Sequence, residues 1–300
     1  MRETRKTEPR RGGEPTLPEL RREIDRIDEA MHRLLIERGE IISSLIAVKR
    51  TQESGSAFRP AREAAMMRRL VERHRGLLPL DTVESIWRVI ISTFTFVQAN
   101  YAVHADMSAG DALVRDSARF HFGFTVPLLT HVGAGPVIAA VAASKGDLGL
   151  VPAFAVPAAG AWWSALEFDA APKIIARLPF VERPDHPASL PLFVVSKPLA
   201  ADAAATEVEI WSVAVAGWSA AAARAISPLA EVIAVPHGSY DGAALLLSLP
   251  HGRKIAEITD ALVAAGSSVR SAALVGGHAT RYTVPPAASR AGAKKSGASS

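Results

Sequence analysis

Apolar residues near the start of the chain recur with a spacing that alternates four and three: Leu20, Ile24, Ile27, Met31, Leu34, then Arg38, then Ile41, Leu45 and Val48. This is the seam of a coiled-coil-like helix, and it predicts helix from about Leu17 to Thr51. Thr16 suits the N-cap, Pro18 the first turn and Glu19 the capping-box position. A helix of about 34 residues is about 50 Å long. Two shorter helices of the same chain cannot cover both its ends, so the pattern predicts an intertwined homodimer. A second helix is expected from Pro60 to about Arg75, through Met66, Met67, Leu70 and Val71, with Gly76 and Pro79 ending it. Asp81 reads as the cap of a third, which runs to about Ala102 through Val83, Ile86, Trp87, Ile90, Ile91, Phe94 and Val97.

From about residue 106 the pattern changes. Ala, Gly, Val and Pro dominate and apolar runs shorten, which predicts α/β material. HVGAGPVIAAVAASKGDLGLVP reads as a strand or turn, a helix from Gly135 to Ser144 and a strand from Leu148 to Val151. Residues 207–284 read βαββαβ. The strands are Val208–Val215, Val232–Val235, Ala244–Leu249 and Val269–Val275, and the helices Ser219–Ile226 and Lys254–Ala265. That order predicts a ferredoxin-like unit. The expected organisation is multidomain: a tail (1–15), an all-α three-helix domain (16–105), an α/β region (106–205), a ferredoxin-like α+β region (206–285) and a second tail (286–300).

Composition narrows the chemistry. The 300 residues include no Cys, which excludes disulfides, thiol catalysis and Cys-based zinc sites. No apolar run approaches the ~18 residues of a membrane span. The charged N-terminus lacks the apolar stretch of a secretory signal, so a cytoplasmic protein is expected. The nine His are scattered without ligand spacing, so no metal is expected. Gly133 and Gly135 begin a GxGxxG-like run, but Ile138 occupies the place of the third Gly. Basic residues cluster in the two tails. The acidic residues interleaved on the first helix (Glu19, Glu23, Asp25, Asp28, Glu29) argue against nucleic-acid binding.

Arg38 stands in the apolar seam. It must snorkel to water, pair with a carboxylate or meet an anionic ligand, because an unpaired buried cation costs several kcal/mol. Arg21 and Lys49 sit beside the same stripe, Arg62 and Glu63 open the second helix, and Gln98 follows Phe94 by one turn. As a set they place several cations and two polar groups along one bundle, which is what a small dianion requires.

The stretch L-x-x-L-R-x-x-I-D-x-I-D, then ERGEIISSLIAVK, RPAREAAMMRRL and IWRVIISTFTFVQ, resembles the all-helical chorismate mutase family over residues 17 to about 104. The resemblance implies that Arg21 reaches into the partner subunit's site and that Arg38 binds a substrate carboxylate. It implies that Lys49 contacts the ether oxygen and a carboxylate, that Arg62 is accessory, that Glu63 holds the substrate hydroxyl and that Gln98 donates to the ether oxygen. Two positions depart from the family: Arg59 stands where an acidic residue is common, and Phe94 where a small hydroxyl residue is common. The reaction so implied, chorismate to prephenate, is intramolecular and needs no nucleophile, metal or cofactor. The protein has to hold the enolpyruvyl chain over the ring and stabilise charge growing on the ether oxygen. Arg21 and Arg38 suit the first task, and Lys49 and Gln98 the second.

GDLGLVP and LPLFVVSK resemble strand motifs of prephenate dehydratases. Pro191 and Leu192 occupy the Thr and Arg positions of the Thr-Arg-Phe signature, and Ala153 and Phe154 replace a Glu-Asn pair. The region is about half the expected length, which implies a dehydratase site that has been lost. The βαββαβ unit resembles an ACT domain without its Glu-Ser-Arg-Pro loop signature. Control by an aromatic amino acid and a purely structural appendage both remain open. The competing reading of the whole chain is a helical dimerisation module with a C-terminal small-molecule sensor.

Overall fold

The computed structural model describes residues 15–49, 57–156, 159–199, 207–236 and 242–284. Both charged tails and the Gly55–Ser56 loop lie outside the described residues. The chain divides into two compact units, Met1–Arg50 and Thr51–Ser300.

The described residues of the first unit form one helix, α1 (Leu17–Lys49). Its start follows the expected capping chemistry: the Glu19 carboxylate accepts from the Thr16 backbone N–H at 2.9 Å and from its hydroxyl at 2.8 Å. The apolar seam is open in the single chain. Leu20, Ile24, Ile27, Met31, Leu34 and Ile41 are each 44–64% exposed.

The second unit begins with α2 (Pro60–Arg73) and α3 (Leu80–Gln98). Pro at the first position starts α2 as expected. Helix α3 differs at both ends from the sequence reading. Pro79 occupies the N-cap, so Asp81 lies in the first turn. There its carboxylate accepts from the Thr82 N–H at 2.9 Å. The far end stops at Gln98 because the chain turns directly into a buried strand, β1 (Val103–Asp106).

There follow α4 (Asp111–Phe122), β2 (Leu128–His131), α5 (Ala134–Ala143), β3 (Leu148–Pro152), β4 (Lys173–Leu178), β5 (Val181–Glu182) and β6 (Leu192–Ser196). The βαββαβ stretch is β7 (Val208–Ala216), α6 (Ala220–Ile226), β8 (Glu231–Ala234), β9 (Ala243–Pro250), α7 (Ile255–Ala264) and β10 (Ser268–His278), and the short β11 (Tyr282–Thr283) pairs with β5. Ser219 caps α6, its hydroxyl accepting from the Ala222 N–H at 3.2 Å.

Nine strands form one sheet in the order β2-β1-β3-β6-β4-β10-β7-β9-β8. Its last four strands, β10-β7-β9-β8, have the antiparallel order of a ferredoxin-like unit. That unit joins the rest where β10 meets β4 in parallel, at Gly276 opposite Ile174. A Cβ on Gly276 would fall on the Ile174 backbone, and its φ of +146° disfavours any other residue. The middle strands β3 and β6 are covered on both faces, which explains the fully buried runs LGLVP and LFVVS. Leu150, Leu192 and Val194 face a core that contains Met67 and Leu70 of α2, Val83 and Ile91 of α3 and Phe122 of α4. Val151, Phe193 and Val195 point the other way, toward α5 and Trp163. Ile226, Ile258 and Leu262 pack α6 and α7 on the ferredoxin-like strands. N-terminal helices followed by a mixed sheet make the chain multidomain in architecture.

Candidate functional site

The six candidate residues fall on both units. Arg21, Arg38 and Lys49 lie on α1. Positions 38 and 49 are eleven residues apart, about three helical turns, so they share a face at a separation of about 16 Å along the axis. Position 21 lies about 25 Å from position 38 along the same axis and roughly 100° around it. Within one helix, then, Arg21 cannot meet the ligand that Arg38 meets. Arg21 is exposed and Arg38 half-buried.

Arg62, Glu63 and Gln98 belong to the second unit. Arg62 is exposed. Gln98 is half-buried, and its Nε2 donates to the Phe94 carbonyl at 3.0 Å. Glu63 is buried, and its Oε2 accepts from Arg88 Nη1 at 2.6 Å. Burial raises the pKa of Glu63, while Arg88 and the hydrogen bonds oppose the rise. Arg88 itself is wholly buried. Its Nε and Nη2 donate to the His121 carbonyl at 3.2 and 2.9 Å, and its guanidinium lies 5.1 Å from the centre of the Phe180 ring.

The pair belongs to a buried polar layer between the helices and the sheet region. Glu84, one turn before Arg88, accepts from Arg183 Nη1 at 2.6 Å and stands 3.2 Å from His186 Nε2. His121 is completely buried with neither ring nitrogen hydrogen-bonded among the described residues, and burial pushes its pKa well below 6.5. The sequence reading passed over Arg88, Glu84, Arg183 and His186. Glu84, Arg88, Ser92 and Thr95 follow one another at helical spacing, but spacing alone does not say which face turns inward: all four are buried, while Ile86, Val89 and Val97 are 38–51% exposed. Helix α3 thus turns a polar stripe inward and leaves an apolar one uncovered.

Histidines scattered in sequence also meet. His104 on β1 contacts His131 Nε2 at 2.9 Å and Asp147 at 3.1 Å. Among the described residues no group of three His, Asp or Glu is placed to hold a metal ion.

Residues 20–99 match the family model for chorismate mutase type II. This segment is a chorismate mutase domain. It holds all six candidate residues, from Arg21 to Gln98. A bifunctional chorismate mutase/prephenate dehydratase of Neisseria gonorrhoeae is 30% identical over 118 residues, 39% of this chain and 30% of that protein. The Aquifex aeolicus protein of the same name is 29% identical over 140 residues, 45% of this chain and 38% of that one. The chain therefore spans about a third of the length of the curated relatives it matches. A solved prephenate dehydratase from Streptococcus mutans aligns with a TM-score of 0.33 and 11% identity, over 59% of this chain and 97% of that one. Of the two departures, Arg59 is the N-cap of α2 and Phe94 lies on α3. Among the described residues no helix is long and apolar enough to cross a membrane.

Proposed function

We propose that this protein rearranges chorismate to prephenate as a cytoplasmic homodimer of the aromatic amino acid pathways, and that its C-terminal region has no dehydratase activity. One observation carries the reading: residues 20–99 match the chorismate mutase type II model, and that segment contains Arg21, Arg38, Lys49, Arg62, Glu63 and Gln98. In this reading Arg38 clamps a substrate carboxylate through paired donors and Arg21 does so across the dimer. Lys49 and Gln98 face the ether oxygen, where negative charge grows as the C–O bond lengthens. Glu63 orients the substrate hydroxyl, which requires it to share its carboxylate with Arg88.

The uncovered seam of α1 and the uncovered stripe Ile86, Val89 and Val97 on α3 support a dimer. Apolar faces of this extent need a partner, and the 25 Å offset of Arg21 suits a role in a second subunit's site. Leu192, at the arginine position of the dehydratase signature, is apolar and fully buried, which supports the loss of that activity. Incubating the pure protein with chorismate tests the assignment. The expected result is loss of chorismate absorbance with formation of prephenate and no phenylpyruvate. A correctly folded, helical preparation that leaves chorismate unchanged overturns it.

A further inference from the structure

A cleft of about 400 Å³ opens beside β8, the end of β10 and the β5–β11 pair, and none of its lining residues lies on α1, α2 or α3. That volume is in the range of small-molecule sites. Its deepest charge is Arg177 on β4. The guanidinium sits 5.8 Å from the centre of the Phe193 ring, and its Nη1 and Nη2 donate to the Glu231 carboxylate at 2.8 and 3.0 Å. The two partners differ sharply in exposure: the Arg177 side chain is 8% exposed and that of Glu231 54%. The cation is fixed, whereas its counter-ion hangs on a stem that can rotate into water.

Other polar groups line the same cleft. Arg281 pairs with Glu182 at 3.1 Å, and burial together with Arg177 lowers its pKa. Arg177 Nε is buried without a hydrogen-bond partner among the described residues. His278 is buried and donates from Nδ1 to the Ala279 carbonyl at 2.8 Å. A carbonyl can only accept, so Nδ1 carries the hydrogen and Nε2 is left as an acceptor. Nε2 is buried and has no partner among the described residues. Unmet buried polar groups cost about 1–3 kcal/mol each. The unpartnered acceptor His278 Nε2 on one cleft with an exchangeable carboxylate points to a ligand that carries both a carboxylate and a hydrogen-bond donor.

We propose that this cleft binds a small hydroxycarboxylate. Its carboxylate replaces that of Glu231 on the Arg177 fork, its hydroxyl donates to His278 Nε2, and Glu231 turns outward. The planar fork selects a carboxylate, the neutral imidazole selects a donor, and Val208 and Leu229 supply an apolar flank. This site uses no residue of the chorismate mutase domain, so it stands or falls separately from the mutase reading.

Calorimetric titration of the full chain with L-malate and with succinate, which lacks the hydroxyl, tests the proposal. Malate is expected to bind roughly fivefold more tightly than succinate. Glu231→Gln removes the competing internal carboxylate and should tighten malate binding about tenfold, the direction opposite to damage. Arg177→Lys keeps the charge, loses the fork and should weaken binding by a similar factor. Absence of binding to about 10 mM in both the wild type and Glu231→Gln, or weaker binding in Glu231→Gln, overturns the site. Equal affinity for the two acids overturns the role of His278.

Discussion

Arg88 on α3 holds Glu63 on α2 through a 2.6 Å charge-assisted hydrogen bond, and both side chains are buried. Because Arg88 also donates twice to the His121 carbonyl, the glutamate expected to touch substrate is tied to the sheet region through a single guanidinium. The position of Glu63 therefore depends on a part of the chain outside the matched segment.

Removing Arg88 leaves a carboxylate buried without a counter-ion. Arg88→Met should destabilise the chain by about 3–5 kcal/mol in urea unfolding. Glu63→Gln in the same chain removes the stranded charge, so the double variant should be more stable than Arg88→Met alone. The coupling from the double-mutant cycle should exceed about 1 kcal/mol. Additive effects would mean that the two side chains do not share their charge.

On α1, Arg38→Ala and Lys49→Ala should each lower mutase turnover about a hundredfold or more, the scale of losing one transition-state donor. Circular dichroism should stay unchanged, since both sit on a helix whose seam is apolar. Wild-type rates in Arg38→Ala would remove the central residue of the proposed site.

The α1 seam makes a mass prediction. Light scattering should give twice the mass of the chain for the wild type. Ile27→Asp places a charge at a seam position that is 44% exposed in the single chain. A partner helix would bury that charge at a cost of several kcal/mol, so the variant should shift to monomer and lose mutase activity. An unchanged mass would mean that the seam is not the dimer contact.

Acid stability follows from His278. Burial, with help from Arg177 and Arg281, holds its pKa down to about 4, against 6.5 for a free side chain. Between those values the unfolded chain binds a proton that the folded chain refuses, so stability falls as pH drops from 6.5 toward 4. The loss from this group is about 3 kcal/mol at most. His121, buried and also depressed, adds a loss of the same sign. Urea midpoints measured across this range should fall in acid, and His278→Asn should flatten the slope by about one proton. An equal slope in the variant would assign the effect to other groups.

Much of this was legible along the chain because its causes are local. The four-three spacing from Leu20 to Val48 sets α1, Thr16 and Glu19 set its start, and alternating apolar runs set the ferredoxin-like strands to within one to three residues. The family motifs likewise lie in short stretches. Other features depend on residues far apart. Strands β1 and β4 and helix α4 went unread, since a four-residue VHAD has no period until parallel neighbours bury it on both sides. Periodicity could not say which face of α3 turns inward, because the inward stripe carries Glu84 and Arg88, and it is Arg183 and the His121 carbonyl that make their burial tolerable. The cleft gathers Arg177, Glu231 and His278 from three separate strands of the nine-stranded sheet, and only the pairing of β10 with β4 brings them within reach. Sequence determined the helices and strands whose pattern is local and which candidate side chains the chain carries. Tertiary structure decided which charges are buried and with whom, because burial and pairing are properties of neighbours in space.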